Sequence, residues 1–337
     1  MAKRFYRVQT GDRPELAAIG STSQLDVLGY AFPKIFPLLG VTEKSGTMSV
    51  AGTTLTAAQG TKDRADGTKL TGTKVAGVDV SWAAGRVEGR ALMYEKDAAA
   101  YSSADAADKA GAEVSQRLAW NVVENAAFTK VFTATRANAA TELADRAVIK
   151  TIQRAGKAVR AYGKPALVMT TNAWQDFINI PEVKYHLAGL AGAAHDIGFI
   201  LSDVEKVRAA VSTFIGFDQI ILFDSDIVGT DHDDKVAVIG LRHPSAGEDV
   251  IQLAKTKALY GFATVYIPED APADKPFDMR TWYDDDNKAN VYDSEAYLGL
   301  SEAFAAAVKL CKFAAEYSDY PVSVVSGDKG AADGEDQ

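Results

Sequence analysis

The rhythm of apolar and polar positions changes several times along this chain. Residues 46–90 read GTMSVAGTTLTAAQGTKDRADGTKLTGTKVAGVDVSWAAGRVEGR, dense in Gly and Thr and poor in large apolar side chains. Both ends of the run alternate with period two. Met48 and Val50 alternate with Thr47 and Ser49, and Val78, Val80 and Trp82 with Asp79 and Ser81, the signal of half-buried strands. The residues between are turn formers with a charged tip of Lys62, Asp63, Arg64, Asp66 and Lys69. The pattern predicts a long two-stranded hairpin, because an uninterrupted loop of this length is uncommon in a compact domain. Such a segment cannot bury a core of its own and needs a neighbouring surface to lie on.

A helical period follows. Ser103 precedes an alanine-rich run to 132 and is a plausible N-cap, with Asp105 and Asp108 at the positive end of the dipole. Val114, Leu118, Val122 and Ala126 recur every four residues, with Val123, Ala127 and Val131 alongside, and are expected to form the buried stripe. About 30 residues at 1.5 Å each would reach roughly 45 Å. A second amphipathic helix is expected over 145–162, on Val148, Ile149, Ile152 and Val159, stopped by Gly163. Then come a short strand over 166–170, a helix capped by Asn172 and ended by Pro181, and a loop with a short helix to 200. A helix over 202–214 carries a Ser202/Glu205 capping box. The runs DQIILFD and VAVIGL read as buried strands. Beyond them VIQLAKT, ALYGFATVYIP, DMRTWYDDD and NVYDSEAYLGL read as successive strands, several with alternating aromatics. Ahead of the hairpin, residues 1–45 read as an extended arm. A short helix is possible over 24–31, and Pro33 and Pro37 prevent a long one.

Composition narrows the function. The 337 residues are 47% hydrophobic, enough for about two domains, and carry a net charge of −9. That balance argues against a surface built chiefly for nucleic acid, though Lys3, Arg4, Arg7 and Arg13 make the start basic. The end, with Asp328, Asp333, Glu335 and Asp336, reads as an acidic disordered tail. The single Cys311 excludes an internal disulfide framework and a cysteine zinc site. There is no secretory apolar segment and no run of about 20 apolar residues for a membrane, so no membrane partner is expected and synthesis is expected in the cytoplasm.

The order of arm, hairpin, long helix, mixed α/β insert and returning aromatic strands resembles the major capsid proteins of tailed bacteriophages, the Hong Kong 97-type shell fold. Local stretches agree: PALVMTTNAWQDFINIPEVKYHL, LSDVEKVRAAVSTFIGFDQIILFDSDI, ATVYIPEDAP and KPFDMRTWYDDDNKANVYDSEAYLG resemble that family's segments in the same order. The likeness runs over roughly residues 5–315. No single motif in it is diagnostic by itself.

The resemblance implies an α+β fold with an N-terminal arm (1–45), an extended β-hairpin loop (46–90), a peripheral domain opened by a spine helix (91–140), an inserted axial domain (141–248), a return to the peripheral domain (249–322) and the acidic tail (323–337). It implies a structural, non-enzymatic shell protein of the virion, assembling into hexamers and pentamers of an icosahedral head around double-stranded DNA. An encapsulin-like compartment holding cargo enzymes is the alternative. The implied partners are other copies of the chain, a separate scaffolding protein, a portal, a decoration protein and non-specifically contacted DNA. With residues 1–45 alone preceding the hairpin, either the scaffold is a separate protein or this is the mature form. Lys62, Arg64, Lys69, Trp82, Arg86, Glu88 and Arg90 are the candidate interface residues. Arg86, Glu88 and Arg90 would set the arm's position by charge pairing, and Gly85 and Gly89 would be hinges at its base.

Little else points to chemistry. Asp231, His232, Asp233 and Asp234, and separately Asp284, Asp285, Asp286, Asn287 and Asp293, could hold a divalent cation through oxygen; both are more simply solvated turns. No HExxH, G-x-S-x-G or P-loop pattern is present, and no cofactor is expected. Some shells of the resembled family carry Lys–Asn crosslinks. Lys62, Lys69 and Lys74 with Asn287 and Asn290 supply the residue types for one.

Overall fold

A computed structural model describes residues 10–13, 16, 29–52, 77–144, 147–191, 204–244, 249–267 and 276–314. Two sheets pack about one long helix. The first sheet uses β1 (Gly11–Asp12), β2 (Leu38–Val41), β5 (Gly85–Tyr94), β10 (Gly261–Tyr266), β11 (Asp278–Asp284) and β12 (Ala289–Glu302). Its order is β1-β11-β12-β10-β2, with β5 also paired to β12. The 14-residue β12 is its axis. It pairs antiparallel with β11 and β5 through its first part and with β10 over Leu298–Glu302. The second sheet, β6-β13-β9-β7-β8, uses Thr141–Glu142, Val308–Lys312, Lys235–Leu241, Lys164–Thr170 and Gln219–Phe223. β3 (Ser45–Ala51) and β4 (Gly77–Ala83) form a separate antiparallel hairpin.

The long helix, Ala104–Val131, begins where Ser103 was expected to cap it: the Ser103 Oγ accepts from the Ala106 N–H. Its exposed side carries Asp105–Lys109 and Glu113–Arg117 pairs one turn apart, the spacing and order that support a helix. Arg136 closes the far end. Its guanidinium donates to the Lys130 and Val131 carbonyls and pairs with Glu302.

The buried stripe is only partly the one expected: Val123, Ala127 and Val131 are buried, but the row from Val114 to Ala126 is not. Val114, Leu118 and Val122 are 50, 41 and 52% exposed. The buried row is Ala107, Gly111, Ala112, Ser115, Ala119, Trp120, Val123, Ala127, Phe128 and Val131. Over the N-terminal half, from Ala107 to Ala119, small residues take the inner face because the sheet comes very close there. A Cβ on Gly89 of β5 would lie 1.9 Å from the Ser115 carbonyl oxygen, and one on Gly111 would lie 2.3 Å from the Tyr292 ring. Gly89 is therefore a close-packing glycine in the middle of a paired strand, and the hinge expected there is corrected.

The C-terminal half of the long helix joins both sheets. Trp120, Phe128 and Val131 share one core with Phe32, Phe36 and Tyr260 on one side and Val168, Phe223, Ala237 and Ile239 of the second sheet on the other. The second sheet's opposite face, with Leu167, Met169, Val236, Val238 and Cys311, is covered by helices Val148–Val159, Thr171–Asn179, Pro181–Ala191 and Val204–Ile215.

Several local expectations are corrected. Helix Thr171–Asn179 is capped by Thr170, whose Oγ1 accepts from the Ala173 N–H; Asn172 lies inside the first turn and donates to Asp233. Pro181 begins the next helix, where a rigid φ and a missing N–H cost nothing. Glu182 of that helix is buried and accepts from the Val148 N–H, capping a helix that has no side-chain cap of its own. VIQLAKT is a helix, Val250–Thr256. Asp249 caps it, and Val250, Leu253 and Ala254 face inward at helical spacing. The possible helix over 24–31 falls largely outside the described residues, as do Ser202 and the tail over 323–337.

Candidate assembly surfaces

The described part of the hairpin is its base. Met48 faces Val80 and Val50 faces Val78 across the pair. Met48, Val50 and Val80 are buried against Val250, Leu253, Leu259 and Phe262 of the same chain. The base is therefore anchored within its own molecule. Trp82 is part of that anchor: its ring lies over Gly46, where a Cβ would come within 2.3 Å of it. Like Val41 and Phe304 it packs against this core, and its Nε1 is buried with no hydrogen-bond partner among the described residues. Lys62, Arg64, Lys69 and Lys74 lie outside the described residues.

Arg86, Glu88 and Arg90 belong to a different surface. They lie on β5, within the first sheet, so the expectation that they sit on the arm is corrected. Alternation sends Gly89 and Ala91 inward and Arg86, Glu88, Arg90, Leu92 and Tyr94 outward. The outward row is held in register with β12. Arg86 bonds Glu295 at 2.8 Å and also Glu88, and Arg90 bonds Asp293 at 3.1 Å. The Arg90 guanidinium also stands 5.5 Å over the Trp282 ring. Beside this ladder Leu92 and Tyr94 are exposed. The result is one open sheet face with ordered charges and an apolar corner. A second open surface is the Val114–Leu118–Val122 row, three large apolar side chains in line along roughly 12 Å of helix at 1.5 Å per residue.

A buried clamp ties the arm to the long helix. Glu124, 1% exposed, accepts from the Ala31 N–H at 2.8 Å and the Phe32 N–H at 2.9 Å. Those are unsatisfied donors at the start of the short helix Phe32–Ile35. Burial pushes the Glu124 carboxyl up to about 7, against the pull of the two backbone donors. The Tyr30 hydroxyl donates to the Asn121 side chain and Gln116 donates to the Leu16 carbonyl, both on the same helix.

The acidic candidates do not converge. Asp233 is engaged by Thr170 and Asn172, and Asp234 by Lys235 and Lys312. Asp284 accepts from the Asn287 side chain and from the Asp286 and Asn287 N–H groups, closing the β11–β12 turn with Lys288 at φ 52°. These bonds, led by the Asn287 side chain, hold its carboxyl below the usual range. Asp293 stands apart on β12, paired with Arg90. Among the described residues no three His, Cys, Asp or Glu side chains group to hold a metal ion. Asn287 is in the turn and Asn290 is buried in β12.

No protein-family model matches the sequence, and no curated protein sequence does. Solved structures do match. A phage-related protein of Bordetella bronchiseptica RB50 superposes with a TM-score of 0.56 at 12% identity, over 90% of this chain and 98% of its own. A chain of Microbacterium phage Oxtober96 gives 0.51 at 11% identity, over 93% and 95%. The chain has the phage major capsid protein fold. A virus-like particle from Pyrococcus furiosus matches more loosely, with a TM-score of 0.46 at 10% identity over 87% and 97%.

In this capsid fold the sequence showed the hairpin and the long helix but missed three features. The clamp at Glu124 was one; its signal was a lone acid flanked by Val123 and Ala127 on an otherwise apolar face. The pairing of Arg86 and Arg90 with Glu295 and Asp293 spans about 200 residues and leaves no local trace. The exposure of Leu118 and its neighbours depended on which face the sheet approached.

Proposed function

We propose that this chain is a structural shell protein of a tailed phage. Copies of it would assemble into hexamers and pentamers of an icosahedral head around double-stranded DNA, and its place would be the virion. The observation that carries the reading is the fold itself, matched over 98% of a phage-related protein. The anchored hairpin supports it. A base fixed in one molecule can present a long arm to the next, and the open β5–β12 face is a suitable bed for it, with ordered charges beside exposed Leu92 and Tyr94. Specific interfaces bury roughly 1,200–2,000 Å², more than the small apolar row on the helix offers alone, so arm and face would act together. Lys62, Arg64 and Lys69 at the tip are proposed contacts to the acidic side chains of a neighbour. The work is geometric and needs no catalytic group or cofactor. A scaffolding protein, a portal and a decoration protein remain proposed partners.

Negative-stain electron microscopy of the purified chain, alone and co-expressed with the genes beside its own, is expected to show capsomers or closed shells. A strictly monomeric protein at high concentration under both conditions would overturn the proposal. Particles filled with a cargo enzyme in place of DNA would favour the compartment reading.

A further inference from the structure

The chain is acidic overall, yet residues 147–175 contain no Asp or Glu. Within that stretch, helix Val148–Val159 buries Val148, Ile149, Ile152, Gly156 and Val159 against the second sheet's core. Its outer side carries Lys150, Arg154 and Lys157, and Arg160 follows as the C-cap, still in helical conformation. At 100° per residue the four cations fall within an arc of about 120° and span about 15 Å. All four are exposed, and none makes an ion pair among the described residues. Beyond the helix the basic lane continues. Lys164 and Arg242 line a cleft of about 320 Å³ with His243 and Lys257, and the Arg242 guanidinium donates to the Tyr162 carbonyl at 3.0 Å. The acid there is Asp218, paired with Lys164.

We infer that the Lys150–Arg154–Lys157–Arg160 face is a contact surface for the phosphate backbone of duplex DNA. The inference relies on the shell reading for where the chain would meet DNA. Four cations in line, without an ion pair among the described residues, offer a polyanion a continuous track in a protein of net charge −9. Duplex DNA carries one charge per about 1.7 Å of axis, so a 15 Å face can neutralise several phosphates. The face favours phosphate over protein as its occupant. Its exposed positions are Lys, Arg, Gln153 and Ala158, with no large apolar or aromatic anchor, whereas protein interfaces are centred on such anchors and depleted in lysine. Contact of this kind is independent of base sequence.

The test is fluorescence anisotropy of the full chain with a labelled mixed-sequence duplex of about 30 base pairs, over a salt series. Wild type is expected to bind with an affinity that falls steeply with salt. The K150Q/R154Q/K157Q/R160Q variant is expected to bind at least about tenfold more weakly at moderate salt, with a log–log slope shallower by about 3. The paired variants K150Q/R154Q and K157Q/R160Q should each lose about half of that slope, and thermal melting checks that all remain folded. An unchanged slope in the quadruple variant would overturn the inference. So would loss of binding confined to a K3Q/R4Q/R7Q variant, or binding of an acidic peptide matching residues 315–337 in preference to DNA. The result is separable from the shell reading: shells with unaltered DNA binding in the variant defeat the inference alone, and DNA binding through this face by a chain that never assembles defeats the shell reading alone.

Discussion

At the residue scale, the decisive side chains act through what they are forced to touch. Glu124 is the clearest case. Its carboxyl is buried and holds the Ala31 and Phe32 N–H groups. Burial outweighs those donors and raises its pKa to about 7, from 4.5. A group raised in this way keeps its proton in the native state, so its stabilising contribution is complete below about pH 4.5 and is lost as pH rises through 7. A shift of this size corresponds to about 3 kcal/mol. Urea unfolding of wild type and Glu124→Gln is expected to show wild type losing stability relative to the variant between pH 5 and 8. A pH-independent difference would show that the clamp is ionised throughout. The one local hint of the clamp is an acid beside Val123 and Ala127; its partners lie more than 90 positions away and leave no local trace. Gly89 carries a similar lesson. As a glycine at the edge of a Gly-rich run it reads as a hinge, and only the approach of the Ser115 carbonyl shows that it admits a helix backbone.

At the element scale, the hairpin separates anchoring from reach. Met48, Val50 and Val80 belong to a core with Leu253 and Phe262, and residues 53–76 lie outside the described residues. Replacing residues 55–75 with a short Gly-Ser turn is expected to leave a soluble chain whose melting midpoint stays within about 3 °C of wild type, a change of no more than about 2 kcal/mol for a chain this long. That chain should no longer close shells. Normal particles from the replacement would refute the role given to the arm. The hairpin ends were readable because period-two alternation is a local property of a half-buried strand. Helix Val250–Thr256 was misread because its seven residues are too few to separate helical from strand spacing when aromatic strands follow. The long helix was legible in extent and cap but not in orientation. Two rows compete along it, and over its N-terminal half the close sheet selects the one with Ala107, Gly111, Ala112, Ser115 and Ala119.

At the scale of the whole molecule, the two sheets are not independent. Trp120, Phe128 and Val131 sit in one core with residues of both, and the Arg136–Glu302 pair joins the end of the helix to β12. Thermal unfolding is expected to be a single transition, with far-ultraviolet dichroism and tryptophan fluorescence coinciding. Trp120 lies in the shared core, Trp174 in the second sheet's outer core and Trp282 on the first sheet. Two resolved transitions would mean that the sheets melt separately. This shared core explains how a chain that leaves and re-enters its first sheet stays together: β5 and β12 meet across about 200 positions, and the helix between them supplies the surface on which both close.

The sequence alone determined most of the order of elements, the hairpin strands, the capped long helix and, through several stretches in sequence, the capsid fold, because caps, period and turn chemistry act over a few residues. Tertiary structure alone decided which face of the long helix is buried, that Arg86, Glu88 and Arg90 lie on the main sheet, and that Glu124 holds the arm. Those outcomes depend on which distant backbone comes close, and the steric demand of that approach is written in neither partner by itself.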